Sequence, residues 1–298
     1  MHICLVSLDY APYRRSGLAV YAEDLARGLH EQGHAVTVVA ALRPGMPELA
    51  EARGVQVRRV PIGPSDWIGY SVRAARAVAR LAREHPFDVV HFADVHFAYA
   101  YCGSFVASLW QSFRQRLQAD GGRPYASGRL NYAVRLTYYN IARLWMERTS
   151  LAHAGRLIAA CESTTHEFVA HYGVAPERVS YVPQGTDLGA LLRVPTDALR
   201  RRLGLEGRRV VLFIGFATAR KGLEYMARAL GALPSDVAWV IAGRWDPGYR
   251  DKVFAALGTA ASRVVEAGLI ADDERAAFYS LADVYVSPSL LEGLGLTP

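Results

Sequence analysis

The chain has 298 residues, of which 51% are hydrophobic and 21% are charged. This composition excludes a disordered or low-complexity polypeptide, and the length suffices for two α/β domains with sizeable cores. The formal net charge is +6 and comes almost wholly from arginine, since Lys221 and Lys252 are the only lysines. Such a charge favours anionic partners, although a GC-rich genome would produce the same excess of arginine.

The cysteines predict a reducing compartment. Cys4, Cys102 and Cys161 are scattered and odd in number, which is typical of buried thiols rather than of a disulfide framework. We expect no leader segment, because the first apolar strand already begins at His2. These features together predict a cytoplasmic protein.

The first half of the chain alternates short apolar runs with amphipathic segments, which predicts a Rossmann-like domain. The run from His2 to Leu8 predicts a buried parallel strand. A helix opens at Ser16-Gly17 and ends near Gly33, before a second strand from Val36 to Ala40. Later strands are predicted at Val55 to Val60, Asp88 to Phe92, Phe105 to Leu109, Leu157 to Ala160 and Val179 to Pro183.

Two segments of this half are strongly basic. The helix predicted over Tyr70 to Glu84 carries a stripe of arginines, which could contact anionic lipid or could simply face solvent. The stripe consists of Arg73, Arg76, Arg80 and Arg83. Residues 114–130 predict a basic loop open to an acceptor, and a long helix follows from Leu130 to Ala152.

Polar residues follow the strand predicted at Asp88 to Phe92. Because ligands of open α/β sheets bind beyond the carboxyl ends of strands, Asp94 and His96 are candidate catalytic residues. A loop with hydrogen-bonded histidines remains an equally good interpretation. A zinc site made of His91, His96 and Cys102 is disfavoured, because the spacing fits no usual ligand pattern.

The second half begins a new α/β pattern. The strand from Val210 to Ile214 leads into the loop Gly215-Phe-Ala-Thr-Ala-Arg-Lys-Gly222 and a helix from Leu223. Further strands are predicted at Val237 to Ala242, Val264 to Ala267 and Val284 to Val286, with a helix that Asp272 caps and that ends at Leu281. We therefore predict a first domain at 1–187, a linker with a short helix at 188–208, and a second domain at 209–298.

The last segment is Ser287-Pro-Ser-Leu-Leu-Glu-Gly-Leu-Gly-Leu-Thr-Pro298. A strand, then closely spaced glycines, then a helix start predicts a cradle for an anion, because glycines admit close backbone approach and the helix start adds positive charge. Glu292 cannot bind phosphate, so it is expected to contact hydroxyl groups. The combination indicates a sugar that carries a phosphate.

This motif resembles the donor-site signature of the retaining GT-B glycosyltransferases of family 4, and the resemblance extends over nearly the whole chain. It implies an α/β GT-B fold, with two Rossmann-like domains whose parallel sheets face a central cleft. The implied reaction is metal-independent transfer, with retention, from a nucleotide-diphosphate sugar to a glycan, lipid or small-molecule acceptor. The family's second glutamate would fall at position 300, beyond Pro298, so we expect a second domain that is incomplete at its C-terminus.

The resemblance also implies roles for individual residues. Glu292 would orient the donor sugar, and Asp94 and His96 would lie at the reacting centre. The implied donor-binding residues are Gly17, Arg220, Lys221, Gly268, Leu269, Gly293, Gly295 and Leu296. The acceptor side is implied to include Tyr10, Arg15 and Trp110. For Gly17, a tight turn explains the residue equally well.

Two positions depart from the family pattern. Phe216 stands where the family has an arginine that clamps the diphosphate, and Arg220 could supply the missing charge. Trp110 stands where the family commonly has a histidine, and it could stack on the acceptor instead. No Asp-x-Asp sequence is present, so a metal-bridged site is unsupported.

These departures leave a second hypothesis open, namely a catalytically incomplete nucleotide-sugar-binding protein or a fragment of an enzyme. A peripheral contact with the inner face of a membrane is compatible with either hypothesis. A nucleic-acid binder is disfavoured, because no aromatic–basic interleaving accompanies the positive charge.

Overall fold

The computed structural model describes residues 1–13, 17–63, 66–115, 133, 137, 142–185, 193–271, 273–290 and 292. The chain divides into two compact units, of which the first contains Met1–Arg114 and Leu136–Gln184 and the second contains Gly185–Pro298. Within the described residues, each unit is built on its own mostly parallel sheet. The predicted α/β class is therefore confirmed.

The first unit contains an eight-stranded sheet among its described residues. The strands are β1 (His2–Val6), β2 (Ala35–Leu42), β3 (Leu49–Ala52), β4 (Val55–Pro61), β5 (Val89–Phe92), β6 (Val106–Leu109), β7 (Arg156–Ala159) and β8 (Val179–Tyr181). Their order is β3-β4-β2-β1-β5-β6-β7-β8, and only the β3–β4 pair is antiparallel. The described helices are α1 (Gly17–Glu31), α2 (Trp67–Glu84), α3 (Arg148–His153) and α4 (Glu162–Tyr172).

The central strand β1 is buried on both faces, as a parallel sheet between two helical layers requires. Cys4 and Val6 pack in the same cluster as Tyr70 of α2. Leu5, which points to the opposite face, packs with Ala22 of α1. The continuous apolar run at the start of the chain therefore reflects helices on both sides of the sheet.

Strand β3 was not predicted, because Leu49-Ala-Glu-Ala52 contains no β-branched or aromatic residue. It pairs with β4 across a two-residue turn at Arg53-Gly54. Both turn residues have positive φ, 53° and 78°, which is the backbone of the tight hairpin turn that suits twisted strands. The turn, rather than strand propensity, thus explains this hairpin.

The second unit has a four-stranded sheet in its described part. The strands are β9 (Arg209–Ile214), β10 (Val237–Ala242), β11 (Val264–Gly268) and β12 (Val284–Tyr285), in the order β11-β10-β9-β12 and all parallel. The helices are α5 (Asp197–Leu203), α6 (Leu223–Leu230), α7 (Tyr249–Leu257) and α8 (Arg275–Leu281). Every residue of β10 is buried, which makes it the centre of this core.

The segment predicted as a linker takes part in the second core. Leu199 and Leu205 pack in one cluster with Phe278 and Leu281 of α8. Residues 186–192, where the predicted domain boundary falls, lie outside the described residues, as does Asp272. Each strand predicted above begins and ends within two residues of the observed one.

The basic loop and most of the long helix predicted after it fall on residues outside the described ranges. The described end of that helix is a π-helical turn, Ala142–Glu147, that continues directly into α3. No helix among the described residues is both long enough and apolar enough to cross a membrane.

Candidate functional site

The carboxyl ends of β9, β10, β11 and β12 meet along one edge of the second sheet, because all four strands are parallel. The loop Gly215 to Gly222 leaves β9 there, and the segment from Val286 to Leu290 leaves β12. This edge is where open α/β sheets bind their ligands. It contains Arg220, Lys221, Gly268 and Leu269, four of the donor-binding residues that the sequence predicted, together with Glu292.

Glu292 is the centre of a polar cluster at this edge. Its Oε1 accepts hydrogen bonds from Lys221 Nζ and, at 2.7 Å, from Ser289 Oγ. Its Oε2 accepts one from Arg220 Nη1 at 3.0 Å. Burial raises the pKa of the Glu292 carboxyl, but the hydrogen bond from Lys221 and the charges of Arg220 and Lys221 outweigh burial and hold the pKa below its ordinary value.

The backbone of the Lys221-Gly222 dipeptide explains how this cluster forms. Residues Ala219–Lys221 make a 3-10 turn that ends at Gly222, whose φ is 61°. A Cβ atom at Gly222 would lie 2.2 Å from the carbonyl oxygen of Pro288. Glycine therefore lets the segment after β12 lie against the loop after β9, where the Leu290 N–H donates to the Arg220 carbonyl at 2.9 Å.

The sequence assigned Lys221 to the diphosphate and Glu292 to sugar hydroxyls, without a contact between them. The structure brings the two side chains together and adds Arg220 and Ser289. Lys221 is only 8% exposed, so its ammonium is held in place rather than free in solvent. An anion that binds Lys221 must therefore compete with the carboxylate of Glu292.

Gly215 and Gly243 allow the loops after β9 and β10 to approach each other. Their φ angles are 149° and 138°, and a Cβ at Gly243 would lie 1.8 Å from the Gly215 carbonyl oxygen. The Ala217 N–H donates to the Arg244 carbonyl at 2.7 Å, so the sheet ladder continues beyond the strands. The Arg244 guanidinium carbon lies 5.7 Å from the centre of the Phe216 ring.

The remaining donor-side predictions divide into three groups. Gly268 ends β11 and accepts a hydrogen bond from the Gly243 N–H at 2.6 Å, and Leu269 beside it is 72% exposed at the same edge. The others, Gly293, Gly295 and Leu296, lie outside the described residues. Gly17 belongs to the first unit, where it is the first residue of α1.

In the first unit, His96 is enclosed between two carboxylates. Its Nδ1 lies 2.6 Å from Asp94 Oδ1, and its Nε2 lies 2.9 Å from Glu147 Oε1. Burial opposes a positive charge on the imidazole, but Asp94 and Glu147 outweigh burial and raise the pKa of His96 to about 9. At neutral pH His96 is therefore a buried imidazolium that donates from both ring nitrogens.

Glu147 connects this imidazolium to two further parts of the first unit. Its Oε1 also accepts a hydrogen bond from the Phe113 N–H at 3.2 Å, and its Oε2 accepts one from the Tyr172 hydroxyl. The structure thus brings Asp94 and His96 together, as the sequence indicated, but Glu147 was not predicted. Both ring nitrogens of His96 are engaged by these carboxylates. The catalytic role of Asp94 and His96 stays a prediction.

The raised pKa of His96 predicts that the first unit loses stability at alkaline pH. Because the folded pKa of about 9 exceeds the ordinary 6.5, the contribution is complete below pH 6.5 and is lost as pH rises through 9. A difference of this size between the folded and the ordinary pKa contributes about 3 kcal/mol to the free energy of unfolding. Urea unfolding at pH 6.5, 8 and 9.5 measures it, and a free energy of unfolding that does not fall over this range contradicts the assignment.

Two acceptor-side predictions, Tyr10 and Trp110, follow the carboxyl ends of β1 and β6. Tyr10 is 4% exposed and belongs to the core of the first unit. Trp110 is half-buried, its indole N–H donates to the Ala93 carbonyl at 2.6 Å, and its ring packs edge-on against Tyr21 at 4.8 Å. Arg15 lies outside the described residues.

The zinc site that the spacing disfavoured does not form among these side chains. His91 Nε2 is hydrogen-bonded to Ser108 Oγ at 2.8 Å, and burial lowers the pKa of His91 to about 4. Cys102 is exposed. In the part of the chain that the structure describes, no three His, Cys, Asp or Glu side chains are grouped so that they could hold a metal ion.

Comparison with known proteins gives matches over both units. Residues 15–190 match the model of Glycosyltransferase Family 4, and residues 208–298 match that of Glycosyl transferases group 1. The D-inositol 3-phosphate glycosyltransferase of Geodermatophilus obscurus is 30% identical over 94% of this chain and 66% of its own length. The uncharacterized glycosyltransferase MJ1607 of Methanocaldococcus jannaschii is 26% identical over 99% and 76%. The chain thus spans about two thirds to three quarters of these relatives.

Solved structures show the same fold. Sucrose-phosphate synthase from Thermosynechococcus elongatus superposes with a TM-score of 0.75 at 19% identity, over 99% of this chain and 77% of its own. WaaG, a glycosyltransferase of lipopolysaccharide biosynthesis, superposes with a TM-score of 0.71 at 20% identity, over 98% of this chain and 76% of its own. Anabaena HepE, solved with UDP-glucose, gives 0.65 at 17% identity, over 96% and 73%. The likeness to these proteins confirms the predicted GT-B fold, and the chain belongs to glycosyltransferase family 4.

Proposed function

We propose that this chain transfers a sugar from a nucleoside-diphosphate sugar to a hydroxyl-bearing acceptor, with retention at the anomeric carbon and without a metal ion. The observation that carries the proposal is the cluster of Lys221, Arg220 and Glu292 at the carboxyl edge of the second sheet. Two cations around one carboxylate suit a ligand that presents both an anion and hydroxyl groups. The UDP-glucose bound to HepE is a ligand of this chemical class.

The proposed reaction forms a bond between an acceptor hydroxyl oxygen and the anomeric carbon of the donor sugar. On the same face of the sugar, the bond from that carbon to the diphosphate oxygen breaks. The acceptor proton passes to the departing phosphate oxygen, and the nucleoside diphosphate leaves. Lys221 would stabilise the negative charge that develops on the diphosphate, which is the task that a metal ion performs in other transferases.

Glu292 would change partners in this reaction. Once the donor diphosphate takes over the ammonium of Lys221, the carboxylate of Glu292 can accept hydrogen bonds from donor-sugar hydroxyls and orient the ring. Ser289, which donates to the same carboxylate, would hold it during the exchange. Gly17, Gly268, Leu269, Gly293, Gly295 and Leu296 complete the proposed donor site.

The proposed acceptor side lies on the first unit, with Asp94 held by His96 and with Tyr10, Arg15 and Trp110. A glycan, a lipid or a small polyol are the candidate acceptors. Relatives named for D-inositol 3-phosphate suggest that a phosphorylated polyol should be tried first. A cytoplasmic location with a peripheral membrane contact belongs to the same proposal, and the exposed arginines of α2 (Arg76, Arg80 and Arg83) are its candidates.

Thermal unfolding with a panel of UDP-, GDP- and ADP-sugars, all in EDTA, tests the proposal. We expect one of them to raise the melting temperature, because a ligand at 100 times its Kd stabilises the folded state by about 2.7 kcal/mol. NMR of the product made from that donor should then show the donor's anomeric configuration. Stabilisation that appears only with added divalent metal, or no stabilisation by any donor, contradicts the proposal.

A second candidate function is a nucleotide-sugar-binding protein without transferase activity. It is favoured by Phe216 and Trp110, which stand where the family pattern has an arginine and a histidine. The same NMR samples distinguish the two, because binding without any new glycosidic product over a panel of acceptors supports the second candidate.

A further inference from the structure

The two cations of the loop after β9 are both paired within the protein. Lys221 and Arg220 each contact a different oxygen of Glu292. Arg220 could in principle replace the arginine that is missing at position 216, but its guanidinium is committed to the carboxylate that must stay in the site to orient the sugar. A second positive charge for a diphosphate has to come from elsewhere along the same edge.

Arg244 follows β10 at this edge and is exposed to solvent. Among the residues that the structure describes, its guanidinium makes no ion pair with a carboxylate. Its neighbour across the loops is Phe216, which is 51% exposed. An exposed phenylalanine beside an uncompensated arginine contributes little to the core, so both side chains are available to a ligand.

The backbone fixes the two residues relative to each other. The Gly215 N–H donates to the Ala242 carbonyl at 2.9 Å, and the Asp246 N–H donates to the Ala217 carbonyl at 2.9 Å. Ala217, next to Phe216, is fully buried, which leaves Phe216 on the open side of the loop. The guanidinium carbon of Arg244 then lies 5.7 Å from the ring centre, within the range of a cation–π contact.

We propose that Arg244 binds the diphosphate of the donor, with the ring of Phe216 as the platform that orients it. This inference rests on the proposed function of the same edge. An aromatic ring contacts the flat face of a guanidinium, so the N–H groups, which lie in its plane, stay free for phosphate oxygens. Phe216 thus acts through Arg244, and the positive charge that the family pattern has at position 216 comes from the neighbouring strand.

Calorimetric titration with a nucleoside diphosphate and with its uncharged nucleoside tests this role. The diphosphate used is the one among UDP, GDP and ADP that stabilises the wild-type chain most, and the nucleoside is the one that it contains. We expect Arg244→Ala to raise the Kd of the diphosphate about 10-fold, the usual size of one charge-assisted hydrogen bond, and to leave the Kd of the nucleoside unchanged. Arg244→Lys keeps the charge but not the planar guanidinium, so its Kd for the diphosphate should lie between those of the wild type and of Arg244→Ala.

Arg228 provides the matched control. It is exposed in the same unit and lies over the ring of Tyr225 at 5.9 Å, a pairing of the same kind on α6. Arg228→Ala removes the same charge and the same type of stacking, and it should bind the diphosphate as the wild type does. Phe216→Ala should weaken diphosphate binding about 3-fold, and Phe216→Arg combined with Arg244→Ala should restore it.

The outcomes separate this inference from the function on which it rests. If Lys221→Ala weakens diphosphate binding but Arg244→Ala does not, the inference is wrong and the proposed function stands. Equal losses in Arg228→Ala and Arg244→Ala would show a general effect of charge and would also overturn it. A loss of nucleoside affinity in Arg244→Ala would place the residue at the base instead. A wild-type chain that binds no nucleoside diphosphate overturns both.

Discussion

Replacement of His96 by glutamine is expected to destabilise the first unit by about 3–5 kcal/mol, the usual cost of removing one partner of a buried ion pair. Glu147 is fully buried and Asp94 nearly so, and the imidazolium of His96 is the cation between them. Glutamine can donate a hydrogen bond but supplies no charge. The free energy of unfolding in urea measures the effect.

The double variant His96→Gln with Glu147→Gln is the control. It also removes the charge of the buried Glu147 carboxylate and leaves only Asp94 without its cation, so we expect it to recover part of the lost stability. The dependence on pH between 6.5 and 9.5 should also become much weaker in His96→Gln, because its largest titrating group is gone and buried thiols such as Cys4 contribute only near pH 9.5. A single variant as stable as the double would show that the Glu147 carboxylate does not depend on the charge of His96.

Replacement of Lys221 by alanine is expected to lower kcat/KM for the donor by about 10²–10³, the usual cost of removing one group that stabilises charge in a transition state. The ammonium contacts the leaving diphosphate in the proposed reaction, so kcat should fall while the KM of the donor rises. Without the ammonium of Lys221, the negative charge of the Glu292 carboxylate beside the diphosphate is balanced only by Arg220. Steady-state kinetics with the donor identified in the thermal screen measures both constants.

Two further variants serve as a control and as a complementary test of the role of Lys221. Lys252, the other lysine, pairs with Glu224 at 3.0 Å with 60% of its side chain exposed, and Lys252→Ala should keep wild-type kinetics. Glu292→Gln removes the internal competitor for Lys221, so it should bind the nucleoside diphosphate more tightly while it transfers the sugar more slowly. Wild-type kinetics in Lys221→Ala, in a chain that still folds, would remove Lys221 from the site.

The sequence predicted the strands well because a strand buried on both faces requires an unbroken apolar run, and such runs are visible without any tertiary information. Strand β3 is the exception, since Leu49-Ala-Glu-Ala52 pairs because of the turn at Arg53-Gly54 and not because of its own composition. The likeness of the two units in architecture could likewise be predicted, because strand–loop–helix patterns recur in each half.

The site could be predicted only in part. Motif spacing indicated Lys221 and Glu292 separately, and their mutual contact follows from how Gly222 seats the segment after β12. Glu147 lies 51 residues from His96, and no local pattern marks it as the partner of a histidine. Arg244 gave no motif signal, since its place beside Phe216 arises from backbone hydrogen bonds between loops that two different strands position.

The central claim is that protein cations, with Lys221 foremost, bind the diphosphate without a metal ion. Because the chain has only two lysines, a sample labelled with ¹³C in its lysine side chains gives only two Cε–Hε signals, which Lys252→Ala assigns. Titration with the stabilising nucleoside diphosphate in EDTA should shift the Lys221 signal and leave that of Lys252 in place. A Lys221 signal that stays fixed at saturating diphosphate, or that moves only after Mg²⁺ is added, would contradict the account.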